Sequence, residues 1–224
     1  MTPTIRHPLP DDLLLAYTTG SLPEAFNLLI ATHLSLCDES RATVAAFDAL
    51  GGALLDSLDA DADPDGEAGL EAGLQAVLRR LDRTPPEPPV RPARRHAPGI
   101  FPAPLQDHVG GDLAAVRWRP VGMGVRQAIL KTGPGARARL LYIPAGAAVP
   151  DHGHHGRELT LVLQGAFSDA GGRFARGDVE VADPEVEHTP TAEPGEDCIC
   201  LAATDAPLRF RGLLPRLVQP FLKI

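Results

Sequence analysis

Eight prolines fall between Thr84 and Pro104, in TPPEPPVRPARRHAPGIFPAP. Proline fixes φ, removes a backbone donor and clashes with the preceding turn. Such a stretch supports neither a helix interior nor a central strand. It reads as a stiff, extended linker over residues 84–104. A chain of 224 residues cut there leaves a segment on each side with apolar residues enough for a core.

Residues 1–83 carry helical signals. Asp11 stands where a cap belongs before DLLLAYTT, and Gly20 follows as a stop. Ser21-Leu22-Pro23-Glu24 has the form of a capping box with proline in the first turn. A third helix follows Asp38 and carries Val44, Phe47, Leu50, Leu54 and Leu55. After the acidic loop DADADPDGE, the spacing of Leu70, Leu74, Val77, Leu78 and Leu81 puts one apolar face on a fourth helix.

From residue 105 the pattern changes to short β runs between glycines and prolines: AVRWRPV, VRQAILK, RARLLYI, ELTLVLQG, DVEVA, DCICLAA and LRFRG. Turns every eight to twelve residues point to an antiparallel sandwich or barrel. The apolar end, LLPRLVQPFLKI, is expected to pack back on it. The fold class is therefore α+β and multidomain. A small N-terminal bundle of about four helices occupies 1–83, and an all-β barrel occupies 105–224.

Charge and cysteine count narrow the surroundings. A net charge of −8 disfavours direct contact with a phosphate backbone. No run approaches the length of a membrane span, and the N-terminus lacks the apolar core of a signal peptide. Three cysteines do not form a disulfide framework, so a cytoplasmic location is expected.

The barrel segment carries metal-ligand chemistry. His152 and His154 are two apart, so on a strand they share a face, and Glu158 opens the next strand. With Gly146 before them and Gly165 after, the spacing resembles the first cupin motif, which implies a jelly-roll barrel. The second motif is partly kept. Gly177 and His188 stand at the expected separation, while Asp183, Glu185 and Ala192 replace the usual Pro, Gly and Asn. The expected ligands are His152, His154, Glu158 and His188, an imidazole–carboxylate set suited to zinc, iron, manganese or nickel. His155 has the parity of an outward residue. Cys198 and Cys200 share one strand face and read as buried structural thiols rather than a disulfide.

The segments DDLLLAYTTGSLPEAFNLLIATHLSLCDES, PDHGHHGRELTLVLQGAF and DCICLAATDAPLRF, with the proline-rich stretch in order between them, resemble ChrR-type anti-sigma factors. The resemblance implies an N-terminal zinc-binding domain that sequesters an extracytoplasmic-function sigma factor. It also implies a C-terminal zinc-binding cupin-like domain needed for release under oxidative stress, notably from singlet oxygen. In that family the N-terminal zinc motif is a distant His followed by H-x-x-x-C-x-x-C. Here His33 and Cys37 match its middle, Ser40 replaces the last Cys, and Pro8 falls at the first His with His7 beside it. Serine is a poor zinc ligand beside a thiolate, so a second zinc through His33, Cys37 and His7 is left open. The cupin residues alone allow another reading: a metal-dependent, dioxygenase-like enzyme with a helical appendage. The chain offers no convincing general base beyond the metal ligands, which favours the regulator over the enzyme.

Overall fold

A computed structural model describes residues 4–58, 66–83, 96, 98–184 and 187–210. They fall in two compact units, one drawn from residues 1–48 and 96–224, the other from 49–95. The sequence boundary at 83 and the unit boundaries therefore differ: the first two helices fold with the β domain. Residues 84–95 and 213–224 lie outside the described residues.

In the larger unit, α1 spans Asp11–Thr18, α2 Glu24–Leu34, and α3 begins at Asp38. The expected capping box does not form. Pro23 takes the N-cap position of α2 without a side-chain cap, and the Glu24 carboxylate instead accepts from the Gly133 N–H at 2.6 Å. Ser21 donates back to the Ala16 carbonyl. Pro23 presets the φ of the entry, and both partners of the box are drawn away by closer groups.

After residue 98 the chain is packed rather than extended. Phe101 is buried, and a short helix begins at Ala103, inside the expected linker. In chain order, α3 (Asp38–Asp56) and α4 (Gly66–Arg83) precede that helix, α5 (Ala103–Val109). Asp112 fixes this entry by accepting from the Ile100 and Phe101 N–H groups, and the Arg176 guanidinium caps the Ile100 carbonyl at 2.9 Å.

Twelve described strands follow: β1 (Arg119–Gly122), β2 (Val125–Ile129), β3 (Arg137–Ile143), β4 (His152–His154), β5 (Glu158–Gln164), β6 (Ala166–Asp169), β7 (Gly172–Ala175), β8 (Val179–Ala182), β9 (Glu187–His188), β10 (Thr191–Ala192), β11 (Cys198–Thr204) and β12 (Leu208–Phe210). They form a six-stranded sheet ordered β1-β2-β3-β11-β5-β8 and two three-stranded sheets, β10-β6-β7 and β12-β4-β9, with antiparallel pairing throughout.

The large sheet is buried on both faces at its centre. Every residue of β11 is buried, as is all of β5 except Gln164. Alternation divides them. Leu159, Leu161, Ile199, Leu201 and Ala203 meet α1, α2 and α5 through Leu13, Phe26, Leu29, Ile30 and Leu105. Val162, Cys198 and Cys200 face the other way, toward Phe167, Phe174 and Ala192. Helix α2 suits its place because Ala25, Phe26, Leu29, Ile30, His33 and Leu34 recur at helical spacing along one side. The β-turn before β6 needs Gly165: its φ is +67°, and a Cβ would lie 2.7 Å from the Asp197 carbonyl oxygen.

In the second unit, α4 and the later half of α3 keep their apolar residues outward. Leu54, Leu55, Leu70 and Leu81 are all exposed, Leu70 at 71%. The periodic face expected at Leu70–Leu81 exists, but it has no core to bury it among the described residues. Among those residues, no helix is long and apolar enough to cross a membrane.

A carboxylate helps tie the N-terminal strap to the β domain, beside the bond from the Val179 N–H to the His7 carbonyl at 2.9 Å. Asp178 is buried. Its Oδ1 accepts from the N–H groups of Arg6 and His7 at 2.6 and 2.9 Å, and its Oδ2 accepts from Ala175 at 2.8 Å. Removing it leaves three backbone donors unpaired. Asp178→Ala is expected to lower unfolding free energy by about 2–4 kcal/mol, read by urea denaturation. An unchanged midpoint would show that this carboxylate contributes nothing to the unit.

Candidate metal centre

Strand parity sets up the inner site. On β5, Glu158 and Thr160 point into the barrel together with Val162, and β8 lies beside it with Glu180 opposite Thr160. β4 pairs with β9 so that His152 lies directly across from His188. The two imidazoles meet at their Nε2 atoms, 3.2 Å apart, with ring centroids 4.7 Å apart.

Chemistry assigns the protons. The Nδ1–H of His152 donates to the Pro150 carbonyl at 2.8 Å, since a carbonyl only accepts. Its Nε2 then carries a lone pair. Burial holds the His152 pKa down, to about 4. His188 is the opposite case. Burial pulls its pKa down, but its Nδ1–H faces Glu180 Oε1 at 2.8 Å and Asp169 Oδ2 at 2.7 Å. These hydrogen bonds and charges raise it to about 9. The imidazolium donates from Nε2 to the lone pair of His152. Glu180 is raised by burial to about 7, partly offset by His188. For Asp169, burial is outweighed by the hydrogen bonds from Glu180 and His188, which hold it low.

Glu158 is deeply buried, which raises its pKa, and Thr160 Oγ1 approaches its Oε1 at 3.5 Å. The structure brings His152 and His188 together. Among the described residues, the group of His, Cys, Asp or Glu donors that converges within 4.8 Å is Asp169, Glu180 and His188. Glu158 does not complete a trio with the two histidines. The His154 side chain lies outside the described residues. Sequence reasoning missed Asp169 and Glu180. The signal for Glu180 was present, an acidic residue at inward parity in the strand DVEVA. Asp169 sits beside a Gly-Gly turn and gave none.

The helical set is arranged differently. The His33 ring is buried between α2 and the barrel. Its Nδ1–H donates to the Gly177 carbonyl at 2.9 Å, and the Ser40 hydroxyl donates to its Nε2 at 2.9 Å. The Ser40 N–H reaches the Cys37 sulfur at 3.4 Å. His7 lies elsewhere, with its ring on Phe174 at 4.5 Å. His33 and Cys37 are thus neighbours of Ser40, while His7 belongs to the barrel edge. Gly177, with φ +93°, turns its carbonyl to His33 at a place where a Cβ would strike Ile5 at 2.8 Å. Cys37, Cys198 and Cys200 are buried free thiols, the latter two with sulfurs 3.6 Å apart. His155 is exposed, as its parity implied.

A histidine-bearing cupin barrel with helices folded on its sheet defines the class: a cupin-domain protein with an N-terminal helical module. Residues 106–207 match the family described as the ChrR cupin-like domain. The chain is 59% identical over 221 residues to anti-sigma-E factor ChrR of Cereibacter sphaeroides, covering 99% of this chain and all of the relative. It is also similar to a crystal structure of Rhodobacter sphaeroides SigE in complex with the anti-sigma ChrR. That match has 55% identity and a TM-score of 0.73, and it covers 90% of this chain and 100% of the other. The chain belongs to the ChrR-type anti-sigma factors, and so to a family of regulators rather than enzymes.

Burial holds the His33 pKa down, to about 4, from an ordinary value of 6.5. A histidine lowered in the folded state leaves stability intact above pH 6.5 and removes it as pH falls toward 4. His33→Asn keeps a donor for Gly177 but does not titrate. The stability advantage of the wild type over His33→Asn should therefore shrink as pH falls from 6.5 to 4 in thermal melts. A constant gap across that window would contradict the assignment.

Proposed function

We propose that this chain sequesters an extracytoplasmic-function sigma factor in the cytoplasm and releases it under oxidative stress through its cupin metal site. The observation that carries the first part is the apolar surface of the second unit. Leu54, Leu55, Leu70, Leu74, Val77, Leu78 and Leu81 are exposed at helical spacing, and solvent-facing apolar patches of this kind mark protein contacts. A relative described in complex with SigE supports a sigma factor as the partner. Helical grooves on the partner would take the i, i+4, i+7 and i+8 anchors of α4. The function divides where the sequence does: sigma binding lies within residues 1–83, and metal sensing lies within 105–224.

In vitro transcription with the holoenzyme tests this. The full chain should inhibit, and Leu74→Asp with Leu78→Asp should weaken sigma binding by about 100-fold or more, since two anchors each worth roughly 2 kcal/mol are removed. Full inhibition by that double variant would remove the proposed surface.

For the metal, the reading is zinc held by His152, His154, Glu158 and His188. Two nitrogens bound to one tetrahedral zinc at about 2.0–2.1 Å stand roughly 3.3 Å apart, close to the 3.2 Å between the Nε2 atoms of His152 and His188. Asp169 and Glu180 support the fit from behind, because a carboxylate on the Nδ1–H of a ligating histidine orients its ring and raises its basicity. When bound, zinc would crosslink β4, β5 and β9. The residues themselves contribute the rest. The His188 Nε2 proton that faces His152 must leave, so uptake is opposed at low pH. In the helical domain the donors fit zinc poorly: both nitrogens of His33 are engaged, Ser40 is a hydroxyl, and His7 is on the barrel edge. Elemental analysis of the purified chain should give one zinc, lost in His152→Ala with His188→Ala. Two zinc ions per chain, or retention in that variant, would overturn this assignment.

A further inference from the structure

Beneath the loop that joins β2 to β3 lies a cavity of about 670 Å³, within the size range of small-molecule sites. Its walls include Ile129, Leu130, Ala136 and Pro207, and its charges are Lys131, Arg137 and Arg139 against Asp205. Asp205 is partly used, since its Oδ1 accepts from the Arg157 N–H at 2.8 Å.

Arg139 is the unusual member. It sits at inward parity on β3, between Ile129 of β2 and Ala202 of β11, and is only 4% exposed. A guanidinium carries five donors and is always charged, so a buried one is normally paired. Arg139 makes no hydrogen bond and no ion pair with any described residue, yet it lines the cavity. Glu158 is the carboxylate whose field reaches it, and Arg137 adds like charge beside it. Glu158 belongs to the metal centre, so its charge is shared. The neighbouring hydroxyl of Thr204 is already committed to the Ala206 carbonyl at 2.7 Å. The depth of the cavity therefore offers one planar donor fork in apolar walls.

We propose that this cavity binds a small organic carboxylate, with its two oxygens on the Arg139 guanidinium and its carbon chain along Leu130, Ala136 and Pro207. A fork of parallel N–H groups matches the two oxygens of a carboxylate. A phosphate monoester presents three oxygens and more charge, and the buried polar set at this depth supplies only the one fork. An alcohol of the same length leaves the guanidinium unpaired. The site adjoins the metal centre, since Arg139 lies on the same inner face as Glu158 and its charge reaches His152, and it stands independently of the sigma-binding reading.

Calorimetric titration of the full-length protein with hexanoate, hexyl phosphate and hexan-1-ol tests the proposal. Hexanoate should bind, with hexyl phosphate and hexanol each weaker by about tenfold or more. Arg139→Gln, with its fold confirmed by circular dichroism, should lose about tenfold or more in hexanoate affinity. Ala206→Phe narrows the cavity without altering charge and should weaken hexanoate as well, which keeps the test decisive if Arg139→Gln fails to fold. Absence of hexanoate binding to the wild type would overturn the proposal. So would equal affinity in a folded Arg139→Gln, unaltered affinity in Ala206→Phe, or tighter binding of hexyl phosphate.

Discussion

The pairing of β11 with β3 and β5 places a strip of leucine, isoleucine and alanine on the outer face of the sheet. Burying that strip against α2 is the contact on which the larger unit depends. Apolar burial contributes roughly 25 cal/mol per Å², and side chains such as Leu29, Ile30, Leu161 and Leu201 are wholly out of water. Without the helix, the sheet would expose its most apolar surface. With it, the inner face is free to carry polar groups, because stability no longer rests on that face alone.

The inner face uses that freedom. Arg139, Glu158, Glu180 and His188 are all buried there, at inward positions on four different strands. In such surroundings charges act on one another strongly, and each group's protonation is set by its neighbours. The histidine pair shows this most directly. His152, backed by a carbonyl, is held neutral, and His188, backed by two carboxylates, is held charged. On the opposite face of the sheet, His33 joins helix and barrel as a neutral ring with a carbonyl on one side and a hydroxyl on the other.

Much of this was legible in the residues. The helices of the first 83 residues, the change to β structure, and the positions of His152 and His188 follow from period, punctuation and spacing. The unit boundary was not legible from the prolines, because proline marks where the chain is stiff, not where packing stops. A better signal lay in LTLVL and CICLAA. Unbroken apolar runs mean burial on both faces, and so call for a covering layer from elsewhere in the chain. Glu24 and Ser21 satisfied a local capping rule, and tertiary partners at Gly133 and Ala16 displaced it. Nothing in RARLLYI sets Arg139 apart from an ordinary charge on an alternating strand. Only the register against Ile129 and Ala202 shows that it points inward.

The order of the chain gives the α2 contact a consequence during synthesis. Helices α1 and α2 leave the ribosome long before β11, the central strand they pack against. Until residue 204 has emerged, Phe26, Leu29 and Ile30 lack the central strand of the sheet they lie on. A nascent or truncated chain therefore displays a sticky helical face of the kind that chaperones hold and proteases recognise. Synthesis of β11 is thus checked by the fold itself, since the first helices are fully covered only when that central strand is in place.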